Sequence, residues 1–198
     1  KKLMSVQKEF IPPVSGNDVM LTIDLNIQYI ADQALQDECK KWNPTSAVAI
    51  VIDPWTGEIL ALSNYPSYDP NNPGLYPNEN RRNRVATDPF EPGSTFKPFV
   101  ASIALQEGLA NPEQRFFCEN GVFKVQKRTL HDHKPYGWLT FHEVLTKSSN
   151  IGMAKVAERV GATRFYRLAR ALGFGAKSGA PLPGESAGEL KPLSDLTK

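Results

Sequence analysis

The segment from residue 47 to residue 62 most restricts the folds open to this chain. Six apolar residues, Ala47–Ile52, precede a linker at residues 53–57, and a second apolar stretch follows at residues 58–62. Two apolar runs joined by a short linker with Pro and Gly at turn positions predict a β-hairpin. Because an isolated hairpin is only marginally stable in water, this one requires further elements packed against it.

Helices are predicted on both sides of the hairpin. Residues 19–23 form a short strand candidate, and Asp24 is a good N-cap for an amphipathic helix that runs to about Lys41. A second apolar-striped helix starts near Ser94 and ends at Gly108. The order of strand, helix, hairpin and a largely helical remainder predicts an α+β fold.

The second half shows clear helix boundaries and one irregular insert. Residues 111–138 are predicted to form an irregular insert with a hairpin around residues 119–121. Thr140 and Glu143 fit a capping box that opens a short helix. After an interruption at residues 148–150, one helix is predicted to end at Gly161 and another, capped by Thr163, at Gly173.

Composition excludes several classes of protein. The chain has 198 residues, of which 40% are hydrophobic and 22% charged, which is typical of a soluble globular protein. The net charge of +2 and the lack of a basic stripe interleaved with aromatic residues argue against a nucleic-acid partner. The longest strongly apolar run, Ala47–Ile52, is far shorter than the roughly 20 residues that span a bilayer.

Ser94 and Lys97 form the first candidate pair for chemistry. On a helix, side chains three residues apart share a face, so a lysine with a lowered pKa can take the proton of a serine nucleophile. The N–H group of Ser94, at the start of the helix and after a Pro-Gly turn, can also stabilise an oxyanion. Ser5 and Lys8 have the same spacing without a helix, so spacing alone leaves a capping serine and a solvated lysine as the alternative.

The break at Ser148-Ser149-Asn150 is the second candidate. A serine between two helices can relay a proton to a leaving amine, and an asparagine can hold a substrate amide; an ordinary helix-linking turn is the alternative. His131, Asp132 and His133 raise the possibility of a metal site, but no Glu-x-x-His motif or cysteine cluster supports it. Trp138 is interpreted as a packing residue, with contact to glycan as the alternative.

In combination, S-T-F-K at residues 94–97 and S-S-N at residues 148–150 resemble the penicillin-binding proteins, the serine acyltransferases that cross-link bacterial cell wall. Longer stretches are similar to the monofunctional, high-molecular-weight class B enzymes, over about residues 17–186. These stretches are VMLTIDLNIQYIADQAL, AVAIVIDPWTGEILALSNYPSYDPN, NRVATDPFEPGSTFKPF and GFGAKSGAPLPGE.

The resemblance implies a role for each candidate. Ser94 attacks the carbonyl between two D-alanines of a peptidoglycan stem peptide, and Lys97 accepts its proton. Ser148 passes a proton to the departing D-alanine, and Asn150 orients the peptide. β-Lactam antibiotics acylate the same serine, and neither a cofactor nor a metal is required. The expected partners also include a cell-wall synthesis complex with a glycosyltransferase, at the extracytoplasmic face of a membrane reached through an N-terminal anchor helix outside this sequence.

The resemblance also implies which fold the chain adopts, and that the chain contains only part of that fold. We expect the transpeptidase fold shared with serine β-lactamases, an antiparallel sheet with a helical subdomain at about residues 94–173. Residues 1–18 are expected to be a connector, and residues 19–198 the N-terminal part of the domain. The family's third motif, K-T-G, is missing: residues 177–179 read K-S-G but lie in a turn-rich stretch instead of a strand. The closing C-terminal strands are therefore expected to lie beyond this sequence.

Three other functions remain open from the sequence. Class D β-lactamases also favour S-T-F-K, but they carry S-x-V where this chain has residues 148–150, and they do not need the N-terminal LTID segment. A β-lactam-sensing domain uses the same nucleophile and stays acylated. An inactive fragment or scaffold is the third alternative, because the K-T-G motif is absent.

Overall fold

The computed structural model describes residues 12–125 and 128–196. The first part of the predicted connector, and the Ser5–Lys8 pair with it, lies outside these residues. Within them, no helix combines the length and apolar character needed to cross a membrane. The predicted α+β class is confirmed, because the chain contains α-helices and antiparallel strand pairs.

The chain divides into two compact units, Lys1–Val85 and Ala86–Lys198. The elements of the first unit are helix α1, Leu25–Trp42, and strands β1, Ala47–Ile52, and β2, Ile59–Tyr65. A four-residue helix α2, Arg84–Thr87, follows at the boundary. The second unit contains helices α3, Lys97–Gln106, α4, Phe141–Thr146, α5, Asn150–Ala171, and α6, Leu193–Leu196, and strands β3, Arg115–Phe117, β4, Val122–Val125, β5, Arg128–His131, and β6, Trp138–Thr140.

In the first unit, helix α1 packs against the predicted hairpin. Its N-cap is Asp24, whose Oδ1 accepts hydrogen bonds from the backbone N–H groups of Asn26 at 2.8 Å and Ile27 at 3.0 Å. Gln28 ties the helix to β2, since its Oε1 accepts from Leu62 N at 2.8 Å and its Nε2 donates to Ser63 Oγ at 3.1 Å. The hairpin β1–β2 is antiparallel, as predicted.

The strand predicted over residues 19–23 does not form, and that prediction is wrong. The segment follows β2 through isolated hydrogen bonds, from Thr22 Oγ1 to Ile59 O at 2.6 Å and from Asp24 N to Leu60 O at 3.0 Å. Met20 is 96% exposed, so the apolar side chains of this segment bury little surface. Little hydrophobic free energy is therefore available to offset the entropy of ordering a ladder.

In the second unit, two short strand pairs lie beside a helical core. Strand β3 pairs with β6 and β4 with β5, both antiparallel. The insert does contain a hairpin, β4–β5, but not around residues 119–121 as predicted, since those residues form a 3₁₀ turn just before it. Helices α3, α4 and α5 supply most of the core, whose fully buried side chains include Ala104, Phe141, Val144, Ile151 and Val156.

The capping box predicted at the start of α4 is present. Thr140 Oγ1 accepts from Glu143 N at 3.2 Å, and Glu143 Oε2 accepts from Thr140 N at 2.9 Å. Helix α5 breaks at Gly161, whose φ of 75° is not helical. The two helices predicted on either side of Gly161 are thus present as two parts of one element.

The first turn of α5 lies in close contact with α4. A Cβ atom added at Gly152 would lie 2.5 Å from Val144 Cγ2 and 2.9 Å from Val144 Cγ1. Both residues are buried, so the neighbouring side chain has no open space to move into. A glycine at position 152 therefore allows the first turn of α5 to lie directly against α4.

We expect Gly152→Ala to destabilise the protein by about 1–3 kcal/mol, the usual cost of forcing a methyl group into a packed core. Thermal unfolding followed by circular dichroism measures this as a lower Tm. Gly74→Ala is the matched control, because a Cβ atom at that position has nothing within 4 Å. Equal Tm values for the two variants would contradict the close approach.

Candidate active site

Ser94 lies in a tight turn that leads directly into helix α3. Gly93–Phe96 form a 3₁₀ turn, and Lys97 is the first residue of the α-helix. Gly93 has a φ of 59°, a left-handed conformation that glycine adopts without steric cost. The chain therefore turns sharply just before Ser94, whose side chain is exposed.

Lys97 joins this turn to the break between α4 and α5. Its Nζ atom donates to the Ser148 carbonyl at 2.6 Å, to Ser148 Oγ at 2.9 Å and to Asn150 Oδ1 at 2.8 Å. Ser94 lines the same cavity as Lys97 and Ser148, with a volume of about 430 Å³. The structure thus brings together three of the four predicted residues through direct hydrogen bonds, and the fourth through a shared cavity.

Two opposing effects set the protonation of Lys97. Burial lowers the pKa of the Lys97 amine from its usual 10.5, and the charge of Asp132 acts in the opposite direction. Burial dominates, so the pKa is lowered overall. An amine with a lowered pKa can act as a base toward a neighbouring hydroxyl at a pH where an ordinary lysine is almost fully charged.

Ser148 has an unusual backbone conformation that aims two acceptors at one amine. Its φ is 53°, in the left-handed region that residues other than glycine, asparagine and aspartate rarely adopt. Its N–H donates to Leu145 O at 3.0 Å, which closes the end of α4. In this conformation both the carbonyl and the hydroxyl of Ser148 contact Lys97 Nζ.

Asp132, at the end of β5, holds the start of α5. Its Oδ2 accepts from Ser149 Oγ at 2.6 Å, and its Oδ1 accepts from the backbone N–H groups of Asn150 at 2.5 Å and Ile151 at 3.0 Å. Ser149 is itself the N-cap, since its Oγ also accepts from Gly152 N at 2.9 Å. Two side chains therefore satisfy N–H groups that lack partners inside the helix.

The orientation of Asn150 follows from the same strand end. Its Nδ2 donates to the His131 carbonyl at 2.9 Å, which leaves Oδ1 directed at Lys97 Nζ. The contribution of His131 is thus a backbone carbonyl, and that of Asp132 is a set of hydrogen bonds to α5. Among residues 12–125 and 128–196, no group of three His, Cys, Asp or Glu side chains could hold a metal ion.

Asp132 is the member of the candidate site whose part in it the sequence does not reveal. In the sequence it stands out only as a possible metal ligand between two histidines. Its contacts with Ser149 and Asn150 cross a large sequence separation, and no local motif marks them. The one available signal is an acidic residue directly after a strand, and acidic residues in such positions are usually solvated.

The K-S-G sequence at residues 177–179 lies outside any strand, as expected. Ser178 N donates to Glu185 Oε1 at 2.7 Å, which closes a loop of irregular backbone. The hydroxyl of Ser178, and after it this backbone N–H, lower the pKa of the Glu185 carboxyl. Residues 177–179 therefore form part of a surface loop.

We expect Asp132→Asn to lower the pKa of Lys97 further, because it removes the negative charge that raises that pKa. The Lys97 Nζ and Cε signals in an NMR titration measure the change. Glu113→Gln is the control, since it removes an exposed carboxylate that is not an acceptor of Lys97. An unchanged or higher Lys97 pKa in Asp132→Asn would show that the Asp132 charge does not act on the amine.

Curated bacterial proteins are similar to most of this chain. A probable peptidoglycan D,D-transpeptidase, PbpC of Pseudomonas aeruginosa, is 40% identical over 178 residues, which cover 90% of this chain and 32% of that protein. A probable peptidoglycan D,D-transpeptidase, PenA of Neisseria gonorrhoeae, is 38% identical over 179 residues, 90% of this chain and 30% of that protein. The chain thus spans about a third of the length of these relatives.

A similar solved structure and a family model agree with these similarities. The apo structure of the TP domain of penicillin-binding protein 3 from Burkholderia pseudomallei matches with a TM-score of 0.77 and 36% identity, over 88% of this chain and 48% of that chain. The model of the penicillin binding protein transpeptidase domain matches residues 47–197. The chain therefore belongs to the penicillin-binding protein transpeptidase family.

Proposed function

We propose that this chain is part of a serine D,D-transpeptidase that cross-links peptidoglycan stem peptides through an acyl-enzyme on Ser94. The observation that carries this proposal is the set of three hydrogen bonds from Lys97 Nζ to Ser148 and Asn150, in the cavity that Ser94 also lines. A nucleophile, a lysine with a lowered pKa, a second hydroxyl and an amide are the groups that acyl transfer needs.

In the acylation step, Ser94 Oγ attacks the carbonyl carbon between two D-alanines. The neutral Lys97 amine takes the proton of the hydroxyl as the C–O bond forms. When the C–N bond breaks, the proton on Lys97 passes through Ser148 Oγ to the leaving amine. The 2.9 Å contact between Lys97 Nζ and Ser148 Oγ is short enough for this transfer.

In the second step, an amine of a neighbouring strand attacks the ester carbonyl. Its proton returns through the same groups to Ser94 Oγ as the C–O bond breaks, and a new amide remains. Asn150 is held by His131 O through its Nδ2 and by Lys97 through its Oδ1, so it keeps the lysine fixed during both steps. A fixed geometry of this kind lowers the entropic part of the barrier.

Charge on the tetrahedral intermediate is stabilised by the start of helix α3. The backbone N–H of Ser94 lies in the first turn, where the N–H groups lack intrahelical partners and the helix dipole is positive. An oxyanion placed there gains hydrogen bonds that the ground-state carbonyl makes less well.

β-Lactams act on the same nucleophile in this proposal, because a strained lactam amide presents the same carbonyl to Ser94. The enzyme works at the extracytoplasmic face of the cell membrane, where its polymer substrate lies. It acts there beside a glycosyltransferase that extends the glycan strands.

We expect benzylpenicillin to add its mass once to the full-length protein and not to Ser94→Ala. Intact mass spectrometry after incubation measures the adduct. Ser102→Ala is a matched control, since Ser102 lines the same cavity and is expected to keep the adduct. An adduct on Ser94→Ala, or none on the parent, would contradict the proposed nucleophile.

We expect the acylation rate to rise with pH through the Lys97 pKa, which burial places below 10.5, because only the neutral amine accepts the Ser94 proton. Lys97→Arg cannot lose its proton in this range, so its rate should fall by about 10²–10⁴ and lose this rise. Stopped-flow kinetics with a chromogenic β-lactam measure both effects, and Lys124→Arg, an exposed lysine on β4, is the control. A normal profile for Lys97→Arg would exclude Lys97 as the base.

A further inference from the structure

A second cavity, distinct from that of Ser94, lies between strands β3 and β6 and helix α5. Its volume is about 520 Å³. Aromatic and charged side chains line it, and none of them takes part in the steps described above: Arg115, Phe116, Phe117, Trp138, Lys155, Glu158 and Arg159.

One wall of this cavity is an exposed aromatic surface. Phe117 and Trp138 are directly opposite each other in the β3–β6 pair, and their ring centroids are 5.3 Å apart. Trp138 is 59% exposed. Its indole N–H donates to no acceptor among the described residues. An indole held by its neighbour in this way offers a flat apolar face and one hydrogen-bond donor to a ligand.

The cavity also carries positive charge that has no ion-pair partner among the described residues. Lys155 is satisfied, because its Nζ contacts Glu119 Oε1 at 2.5 Å and Phe117 O at 2.7 Å. Arg115 and Arg159 are exposed, and neither forms an ion pair within residues 12–125 and 128–196. With Lys155 paired, the lining retains two guanidinium groups, those of Arg115 and Arg159, and one carboxylate, that of Glu158.

Arg159 is held on one side by an aromatic ring. Its Cζ lies 4.6 Å from the centroid of the buried Phe116 ring, a cation–π geometry that limits the freedom of the side chain. A pre-positioned guanidinium loses less entropy when it binds a carboxylate, and it can do so through two parallel hydrogen bonds. The cavity therefore combines a stacking surface with an anion-binding wall.

We propose that this cavity binds a carboxylate-bearing disaccharide-peptide unit of the peptidoglycan strand, at a distance from the bond that reacts. The sugar ring stacks on Trp138, and carboxylates of the stem peptide pair with Arg115 and Arg159. The proposal rests on the proposed function for the nature of the polymer. The remaining argument is chemical: one such unit carries both a ring for the aromatic surface and carboxylates for the guanidinium groups.

The position along α5 fits a ligand that is longer than the reacting peptide. Asn150 starts the helix, and Lys155 and Arg159 lie about 8 and 14 Å further along its axis at about 1.5 Å per residue. That distance matches a few residues of extended peptide or a few sugar rings. A site of this kind affects the affinity for polymer and leaves the reaction with small β-lactams unchanged.

The test is calorimetric titration of the full-length protein, already acylated with benzylpenicillin, with the N-acetylglucosaminyl-N-acetylmuramyl tetrapeptide. Blocking Ser94 beforehand separates this cavity from the reaction site. We expect binding to persist, and the double variant Arg115→Gln/Arg159→Gln to weaken it about tenfold or more, as expected when charge-assisted hydrogen bonds are lost. Arg167→Gln, an exposed arginine on the same helix outside the cavity, is the control.

Two further ligands show which part of the ligand contacts the arginines and which part contacts Trp138. The free tetrapeptide is expected to keep its sensitivity to the arginine changes, and N,N′-diacetylchitobiose, a disaccharide without a carboxylate, to lack it and to respond to Trp138→Ala instead. Binding that disappears on acylation, or that is equal in the parent and the double variant, would overturn the proposal.

The same samples separate this proposal from the proposed function. Each variant is expected to react with benzylpenicillin at the parent rate, which also shows that it is folded. Absence of any acylation of the parent would contradict the transpeptidase function, whereas normal acylation with unchanged ligand binding in the double variant would contradict only the second site.

Discussion

The carboxylate of Asp132 is the contact on which the candidate site depends. It receives hydrogen bonds from Ser149 Oγ and from the N–H groups of Asn150 and Ile151, so it fixes the first turn of α5 to the end of β5. It also raises the pKa of Lys97, which burial lowers. One half-buried acid thus sets the position of Asn150 and limits how far the lysine departs from an ordinary amine. Structure and protonation are coupled through a residue that is expected to touch no substrate.

Local chemistry explains most of what the sequence predicts correctly. Asp24 and Thr140 cap helices through side chains that contact the backbone two or three residues away, so each capping motif is contained in a few consecutive residues. The hairpin and the break at residues 148–150 are local in the same sense. Spacing marks Ser94 and Lys97 only as candidates, because Ser5 and Lys8 share it; the helix that follows Pro92-Gly93 and the wider resemblance separate the two pairs.

Long-range packing explains what the sequence does not predict. Residues 19–23 have the composition of a strand, yet Met20 and its neighbours remain exposed, and a ladder gains too little buried surface to form. The contacts of Asp132 depend on where β5 ends relative to α5, which no short window contains. Similarly, the sequence favours a packing role for Trp138, whereas its ring is more than half exposed.

The left-handed backbone conformation of Ser148 limits which hydroxyl-bearing residue can occupy position 148. Serine and threonine offer the same donor and acceptor, so a proton relay alone does not distinguish between them. A φ of 53° does distinguish serine from threonine, because a β-branched side chain is strongly disfavoured in that region. A methyl group on Cβ would favour a backbone that turns the carbonyl, the hydroxyl or both away from Lys97. The turn between two helices therefore favours serine over threonine at position 148 on conformational grounds, independently of the acidity of the alcohol.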